Sequence, residues 1–313
     1  MRIERGDQRN IPQMRGSVLS IGNYDGVHLG HQALIHELRS RADKSSWPAT
    51  VMTFEPYPWE FFQPNDAPSR LTSFPEKLEL FENLGVEQVV CIEFDQEFAN
   101  TKPIDFVNEC LVERMKAECL VLGDDFKFGK DRAGSVAQLR ELSKSYRFQV
   151  ITVNSVMCDG KRVSSSGVRL ALEKRDLNSA RKLLGRRYSI SGRVVHGDHR
   201  GREWGFPTAN ICLNPNDTPL RGVFSVLVYG LENRPIKGIA NLGSRPTVAG
   251  EKFLLETHCL DFDRDVYGQA IRVEFFDWIR DERKFDGPVT LSKQIEKDIN
   301  DARDRFNLNS LDD

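Results

Sequence analysis

No two cysteines in this 313-residue chain have the spacing of a disulfide framework or of a zinc site. The six cysteines, at positions 91, 110, 119, 158, 212 and 259, are isolated from one another. We expect them to be small apolar residues of a protein in a reducing compartment. No apolar run approaches the ~20 residues of a membrane-spanning helix, and residues 1–10 lack the apolar segment of a signal peptide. The chain is therefore predicted to be cytoplasmic.

The chain also lacks a large charge excess, an internal repeat and a low-complexity segment. Its formal net charge is −2, so the chain as a whole has no positive electrostatic field that would attract nucleic acid or an anionic membrane. Neither is an expected partner. The length of 313 residues favours two domains over one.

A glycine-rich turn carries two histidines near the start of the chain. Residues 22–31, GNYDGVHLGH, follow an apolar run at 17–21 that is typical of a buried strand. Leu34, Leu38 and Ala42 then recur at helical spacing. A helix N-terminus at such a turn presents N–H donors and attracts phosphate, and the absence of a following Lys-Ser/Thr excludes a P-loop. The alternative is a turn with two ordinary surface histidines.

Strand-like and helix-like segments alternate over the first half of the chain. The strand-like segments are residues 50–54, 88–92, 119–122 and 148–153, and the helix-like segments are residues 75–84, 103–116 and 135–144. This alternation predicts an α/β domain with a doubly wound parallel sheet, whose ligands bind at the carboxyl ends of the strands. The loops expected at those ends are residues 22–31, 54–58 and 123–129.

Two further segments of the first half suit a nucleotide. Residues 123–129 combine carboxylates with Phe126 and Phe128 between glycines, which suits a planar ring with polar edges; a solvated turn with packing phenylalanines is the alternative. Ser164, Ser165 and Arg169 lie where a helical stretch, residues 170–184, begins, so they could hold a second phosphate group. Simple capping of that helix is the alternative.

The pattern changes from Gly185 onward. Short β-like segments follow one another without long helices, at residues 188–196, 222–229, 236–241, 253–262 and 271–276. They predict an antiparallel barrel or sandwich, closed by a helix near the C-terminus. Arginines concentrate locally at positions 186, 187, 193, 200 and 202. The domain boundary is therefore expected near residues 184–187.

Two features of the second half carry chemistry. The basic, glycine-broken loop at residues 196–210 ends in Pro-Thr-Ala-Asn, where Thr208 and Asn210 offer oxygen ligands that Mg²⁺ accepts; a β-turn beside a solvated basic face is the alternative. Glu256 shares one face of a strand with Leu254, His258 and Leu260 by alternation. It is a candidate general base, the alternatives being an ion pair with an arginine or an outward-facing position.

These segments together resemble the prokaryotic bifunctional riboflavin kinase/FMN adenylyltransferase (FAD synthetase) family over nearly the whole chain. The matching motifs are residues 22–31, 123–129, 164–169, 205–210, 241–247 and the Glu256 strand. The resemblance implies an α/β nucleotidylyltransferase domain at residues 1–184 and a mainly antiparallel six-stranded β-barrel flavokinase domain with a C-terminal helix at 185–313. Riboflavin and ATP would give FMN, and FMN and ATP would give FAD and pyrophosphate, both with Mg²⁺.

The resemblance also implies roles for single residues. It makes Glu256 the kinase base and gives His28 and His31 the stabilisation of charge on the triphosphate. ATP and phosphate binding in the first domain would fall to Gly22, Asn23, Asp25, Gly30, Ser164, Ser165 and Arg169. The adenine or flavin loop would comprise Gly123, Asp125, Phe126 and Phe128. The kinase phosphate loop would comprise Gly201, Arg202, Gly205 and Pro207, and the metal ligands would be Thr208 and Asn210.

The sequence departs from the family pattern at four positions. Tyr24 stands where Phe is common, Tyr57 where His is usual, Gly167 where a bulkier and often basic residue is usual, and Phe224 where Tyr is frequent. The changes at Tyr57 and Gly167 could weaken adenylyl transfer. A riboflavin kinase with weakened or lost adenylyltransferase activity is therefore an alternative. A nucleotidylyltransferase for nicotinate mononucleotide or pantetheine phosphate and a non-catalytic flavin-binding regulator are two others. The expected partners are small molecules, with a homo-oligomer as a further expectation.

Overall fold

The computed structural model describes residues 1–7, 10–196, 205–247 and 250–308, with the side chains of 245–252 left aside. The chain divides into two compact units. The first comprises Met1–Pro68 and Thr72–Ser165, and the second comprises Ser69–Leu71 and Ser166–Asp313. The helical stretch before residue 185 thus groups with the second unit, whereas the domain boundary predicted from sequence follows it.

The first unit is built on a six-stranded parallel sheet. Its strands are β1 (Arg2–Gly6), β2 (Ser17–Ile21), β3 (Ala49–Glu55), β4 (Gln88–Glu93), β5 (Ala117–Gly123) and β8 (Gln149–Val153). Their order is β1-β4-β3-β2-β5-β8, and every neighbouring pair is parallel. The chain moves outward from β2 in one direction and then returns to β5 on its other side. This topological switch point is where doubly wound sheets bind ligands.

Helices and two small hairpins connect these strands. The helices are α1 (Leu29–Ala42), α2 (Pro58–Phe62), α3 (Phe74–Asn83), α4 (Gln96–Ala99), α5 (Pro103–Asp105) and α6 (Val136–Tyr146). The hairpins pair β6 (Lys127–Phe128) with β7 (Gly134–Ser135) and β9 (Met157–Cys158) with β10 (Lys161–Arg162). A one-turn 3₁₀ helix lies at Lys130–Arg132.

Local sequence signals explain most helix boundaries of this unit. Ser73 caps α3 in a capping box with Glu76, and Ser135 caps α6. The segment predicted as one helix over residues 103–116 is different, because α5 ends after one turn and continues as a π-helix at Phe106–Arg114. A side-chain period alone does not distinguish the two hydrogen-bond patterns.

The second unit contains a nearly closed antiparallel barrel. Its strands are β11 (Ser189–Arg193), β12 (Ala209–Leu213), β13 (Gly222–Tyr229), β14 (Ile236–Thr247), β15 (Gly250–Cys259) and β16 (Ala270–Arg280). Their order is β11-β16-β13-β14-β15-β12, and a bridge between Val195 and Asn210 links the two ends. The predicted α/β plus six-stranded barrel architecture is confirmed. One detail is corrected: Asn210 lies within strand β12 and not at the end of a loop.

Three helices of this unit lie in the described residues: α7 (Ser165–Glu173), α8 (Leu177–Leu184) and α9 (Pro288–Leu308). The helical stretch predicted at 170–184 is two helices, because Arg175 adopts a left-handed φ of 60° between them. Val168, Leu172 and Leu184 are fully buried with the residues that fill the barrel. Ala302 and Phe306 of α9 pack on a separate cluster of barrel residues.

No helix among the described residues is both long enough and apolar enough to cross a membrane.

Candidate active sites

The histidine turn lies at the switch point of the parallel sheet. His28 is the N-cap of α1, and its Nδ1 accepts a hydrogen bond from the backbone N–H of His31 at 3.3 Å. The two imidazole rings stack with centroids 3.7 Å apart. A Cβ on Gly30 would lie 3.1 Å from the His28 ring, so the glycine leaves room for this stack. The sequence therefore correctly predicts two adjacent histidines at a helix N-terminus.

The charge state of His31 follows from its surroundings. Burial lowers the pKa of His31 well below its ordinary value, and the nearby His28 and Lys77 lower it further. The imidazole is therefore neutral at pH 7. Its Nδ1 is buried and has no hydrogen-bond partner within the described chain. A neutral ring at a helix N-terminus can donate one hydrogen bond to a phosphate oxygen, while the helix dipole supplies a partial positive charge.

Several predicted phosphate-binding residues shape the turn from within. Asp25 is 1% exposed, and its Oδ1 accepts hydrogen bonds from the Tyr57 hydroxyl and the Thr72 N–H, both at 3.3 Å. These contacts show that the Asp25 carboxylate helps to organise the turn, and its predicted role in phosphate binding stays a prediction. The Gly22 N–H donates to the Met52 carbonyl at 3.1 Å.

The turn contains two residues in a conformation that side chains rarely adopt. Tyr24 and Val27 have φ values of 54° and 40°, which lie in the left-handed region. Both side chains are buried, and the Tyr24 hydroxyl lies 2.5 Å from the Ser20 hydroxyl. Burial raises the pKa of Tyr24, so this phenol stays protonated. Packing and hydrogen bonds thus hold the turn in place against local strain.

Ser165, at the start of α7, contacts the glycine turn within the first unit. The Ser165 hydroxyl donates to the Asp25 carbonyl at 2.9 Å, and Ser164 is half-buried immediately before α7. Arg169 belongs to the second unit, where it is 9% exposed and its Nε donates to the Ser69 carbonyl at 2.6 Å. Ser165 therefore lies beside the glycine turn, and the phosphate-binding roles of Ser164, Ser165 and Arg169 stay predictions.

The residues of the loop after β5 differ in burial, because some lie on the surface and others in the core. Asp125 is exposed and pairs with Arg162 at 2.7 Å, and a Cβ on Gly123 would lie 3.3 Å from the Asp125 carboxylate. Phe126 is partly buried, with its ring stacked near that of Phe128 at 5.8 Å. Phe128 is 6% exposed and packs in the core of the unit. Phe128 therefore packs in the core, Asp125 and Phe126 are more accessible, and the role of the loop in binding adenine or flavin stays a prediction.

Lys77 is a residue of this site that the sequence analysis missed. It lies on α3 and is fully buried. Its Nζ lies 3.3 Å from the Asn23 carbonyl oxygen and 3.2 Å from the Tyr57 hydroxyl. A signal for it exists in the sequence, because Lys77 lies three residues after Phe74 and four before Phe81, on the apolar stripe of the helix.

The candidate kinase site is a row of polar residues across three barrel strands. Asn210 on β12 and Asn241 on β14 are the direct cross-strand neighbours of Glu256 on β15. The Asn241 amide donates to Glu256 Oε2 at 3.5 Å and to Glu282 Oε1 at 3.1 Å. Residues opposite each other on antiparallel strands point to the same face of the sheet. The three side chains are therefore brought together by the strand register.

Glu256 faces away from the barrel interior. Leu254, Glu256 and His258 are half-buried, whereas Leu255 and Thr257 between them are fully buried. The predicted face is confirmed for Leu254 and His258. Leu260 differs, because it follows the end of β15 and is 6% exposed. An accessible carboxylate in this row can take a proton from a bound hydroxyl.

Asn210 offers a buried oxygen that suits a hard cation. It is 5% exposed, and its Oδ1 has no hydrogen-bond partner in the described part of the chain. Buried polar atoms are ordinarily paired, and an amide oxygen is a typical Mg²⁺ ligand. Thr208 is half-buried two residues earlier. The chemistry of these two oxygen donors suits Mg²⁺, and no cluster of three or more His, Cys, Asp or Glu side chains suited to a metal occurs among the described residues.

The segment before β12 is attached to β15 by His258. His258 Nδ1 lies 2.9 Å from the Pro207 carbonyl oxygen, and its ring contacts Phe206 edge-on with centroids 5.7 Å apart. Gly205 adopts a φ of 84° at the start of this segment, a conformation that glycine accepts without strain. The predicted loop residues Gly201 and Arg202 lie outside the described residues.

Comparisons with known proteins agree with this two-part architecture. The FAD synthetase family model matches residues 10–167, and the riboflavin kinase family model matches residues 184–306. Curated relatives named bifunctional riboflavin kinase/FMN adenylyltransferase include those of Escherichia coli strain K12, at 43% identity, and Haemophilus influenzae, at 42%. The alignments cover 98% of this chain in both cases, with 99% and 100% of the relatives.

A solved structure is similar over the same length. It is described as a macrolide-efflux protein from Streptococcus pneumoniae, with 30% identity and a TM-score of 0.82, and the match covers 97% of this chain and 99% of that one. Its description names a different role from that of the curated relatives, but its likeness extends across both units. The two family models and the nearly full-length identities decide the assignment: the chain belongs to the bifunctional riboflavin kinase/FMN adenylyltransferase family.

Proposed function

We propose that the chain converts riboflavin to FMN at the Glu256 row and FMN to FAD at the histidine turn. The adenylyltransferase site would lie within residues 1–184 and the kinase site within residues 185–313, with α7 and α8 completing the core of the barrel. The observation that carries the proposal is the juxtaposition of Asn210 and Glu256, where a buried oxygen that no described residue pairs lies beside an accessible carboxylate. Both domains of the family are present, which favours the bifunctional activity over a kinase that has lost adenylyl transfer.

In the kinase reaction, Glu256 accepts the proton of the riboflavin 5′-hydroxyl as that oxygen attacks the γ-phosphorus of ATP. The Asn241 amide holds the Glu256 carboxylate from the neighbouring strand. Asn210 and Thr208 would hold Mg²⁺, which supplies charge neutralisation at the phosphates. His258 keeps the Pro207–Thr208 backbone on the barrel wall through its contact with the Pro207 carbonyl.

In the adenylyl transfer, the FMN phosphate attacks the α-phosphorus of ATP directly, with no covalent enzyme intermediate. His28, His31 and the first N–H groups of α1 stabilise the charge that builds up on the triphosphate. Ser164, Ser165 and Arg169 would hold the departing pyrophosphate, with Asp125 and Phe126 near a ring of one substrate. The stacked rings and the helix N-terminus are already in place without substrate. They therefore favour catalysis by alignment of the two substrates over catalysis by a covalent intermediate on the enzyme.

The substrates riboflavin, FMN and ATP are small molecules, and we propose that the enzyme works in the cytoplasm. Its six cysteines are all free, and a reducing compartment keeps thiols in that state.

The deciding experiment is a chromatogram of the flavins formed from riboflavin, ATP and Mg²⁺. The parent chain should yield FMN first and FAD later. The variant with both His28→Ala and His31→Ala should stop at FMN, since each lost donor typically costs on the order of 10²–10³ in rate. Failure of the parent chain to form FAD from supplied FMN would contradict the bifunctional assignment.

A further inference from the structure

A fully buried lysine lies directly behind the histidine turn. Lys77 has no exposed side-chain surface, and the oxygen atoms of four residues lie within 3.4 Å of its Nζ. They are the Asn23 carbonyl, the Thr53 hydroxyl, the Glu55 carboxylate and the Tyr57 hydroxyl. A lysine ammonium has three N–H donors and no acceptor, so surroundings made of acceptors retain its positive charge. An unpaired charge in this place would be costly to bury.

A chain of hydrogen bonds connects this ammonium to the turn. The Tyr57 hydroxyl accepts from Lys77 and donates to Asp25 Oδ1 at 3.3 Å. Lys77 also donates directly to the Asn23 carbonyl, which in addition accepts from the Thr53 hydroxyl at 3.3 Å. The ammonium therefore holds the turn at two points, through its backbone at Asn23 and through its side chain at Asp25.

The turn needs this support because it is strained. Tyr24, between Asn23 and Asp25, has a φ of 54°, and such conformations persist only where surrounding contacts fix them. His28 and His31 follow the turn within a few residues. A turn that relaxes would move the imidazoles and the first N–H groups of α1, and a shift of about 1 Å at a reacting centre can cost 10²-fold in rate.

Electrostatics point the same way. His31 is neutral at pH 7, so its imidazole does not supply a full positive charge for the triphosphate. The buried ammonium is a fixed cation behind the turn, and it is close enough to His31 to affect that ring. A charge screened from water by the protein acts over a longer range than an exposed one.

We propose that Lys77 is a positioning residue for adenylyl transfer, which fixes the histidine turn through Asn23 and the Tyr57–Asp25 pair and places a positive charge beneath the triphosphate. It does not touch the substrate. This inference rests on the proposed adenylyltransferase function of the first unit. It also assigns a role to Tyr57, whose hydroxyl connects the ammonium to Asp25.

The test compares Lys77→Met with Lys77→Arg in the full-length chain. Lys77→Met keeps the length of the side chain and removes the charge, so kcat for FMN adenylylation should fall on the order of 10²-fold, with a smaller rise in KM for ATP. Lys77→Arg keeps the charge and should recover part of kcat. Riboflavin phosphorylation by the same molecules is the internal control and should stay within twofold of the parent.

A buried structural ion pair would give a different result. Its loss would lower the melting temperature and leave kcat per folded molecule unchanged. Leu139→Ala is the matched control, because Leu139 is fully buried in the same unit on α6 and is not among the described residues that bond to Lys77 or Asp25. Lys77→Met with a kcat for adenylylation within threefold of the parent would overturn the inference.

Tyr57→Phe decides the matter if Lys77→Met does not fold. It removes one hydroxyl and breaks the connection to Asp25, so kcat for adenylylation should fall about tenfold while the melting temperature changes little; in that case a parental kcat overturns the inference. The proposed function fails separately, if the unmodified chain forms no FAD from FMN and ATP.

Discussion

Asn210 and Glu256 lie directly opposite each other on β12 and β15, and the Oδ1 of Asn210 is buried without a hydrogen-bond partner in the described structure. An unpaired buried acceptor typically costs about 1–3 kcal/mol. A bound cation that accepts this oxygen as a ligand would recover that free energy. The register of two strands thus places a candidate metal ligand beside a candidate base.

The first prediction is that Asn210→Ala impairs the kinase without harming the fold. Because its Oδ1 makes no hydrogen bond within the described chain, removing that oxygen leaves no donor unpaired, and the melting temperature should stay close to that of the parent. The Mg²⁺ concentration needed for half-maximal riboflavin phosphorylation should rise by roughly 10–100-fold, as for other losses around a metal. Cys212→Ala is the control, since Cys212 is exposed two residues along the same strand. An unchanged Mg²⁺ dependence would remove Asn210 from the metal site.

The second prediction concerns Glu256→Gln. Glutamine keeps the size of the side chain and one acceptor but takes up no proton, so riboflavin phosphorylation should slow by about 10²–10⁴-fold. FAD formation from supplied FMN should continue. Glu282→Gln is matched to it, because it also removes a carboxylate that accepts from the Asn241 amide, and it should leave kcat nearly intact. An equal loss of kcat in both variants would indicate that the two carboxylates share a structural role, and that Glu256 is not the general base.

The overall fold could be predicted from the sequence because its signals are local and repeated. The alternation of apolar runs with helical patterns predicts the parallel sheet, and closely spaced strand-like segments without long helices predict the barrel. Strand β12 was missed because it has only five residues and follows Gly205 and Pro207, which are typical of a turn. Its paired residues on β15 lie 40 to 48 residues further along the chain, so only the tertiary structure reveals the strand.

The candidate site was predicted less completely than the fold. The histidine turn was placed correctly because a strand, a glycine turn and a helix follow one another directly. Lys77 was missed because a lysine in a helix is ordinarily exposed. The hydrogen bonds of Asp25 with Tyr57 and Thr72 could not be predicted, because they join segments that are distant in the sequence.

The third prediction is a dependence of stability on pH that arises from His31. Its pKa is lowered in the folded state, so the unfolded chain, with an ordinary value of about 6.5, binds the proton more readily. The contribution of His31 to the free energy of unfolding is therefore fully present above pH 6.5. It declines as the pH falls below that value, by at most about 1.4 kcal/mol per pH unit for one group. Melting temperatures measured at pH 7.5 and 5.5 should show this decline.

His31→Asn should make that decline smaller, because asparagine does not titrate. His36→Asn is the control, since His36 is exposed on the same helix and should leave the decline as in the parent. If His31→Asn and His36→Asn lose stability equally between the two pH values, burial of the His31 ring does not control the pH dependence.

The last prediction concerns where an independent kinase fragment must begin. Val168, Leu172 and Leu184 on α7 and α8 are fully buried in the same cluster as the residues that fill the barrel. Burial of each such side chain contributes about 1.5–3 kcal/mol, so the three together approach the 5–15 kcal/mol stability that is typical of a domain. A fragment of residues 166–313 should fold and phosphorylate riboflavin, whereas a fragment of residues 185–313 should be mostly unfolded. Both lack Leu71, which is also in this cluster, so the comparison isolates the two helices. Circular dichroism melting and kinase turnover check both fragments, and equal stability would show that the barrel core is complete without α7 and α8.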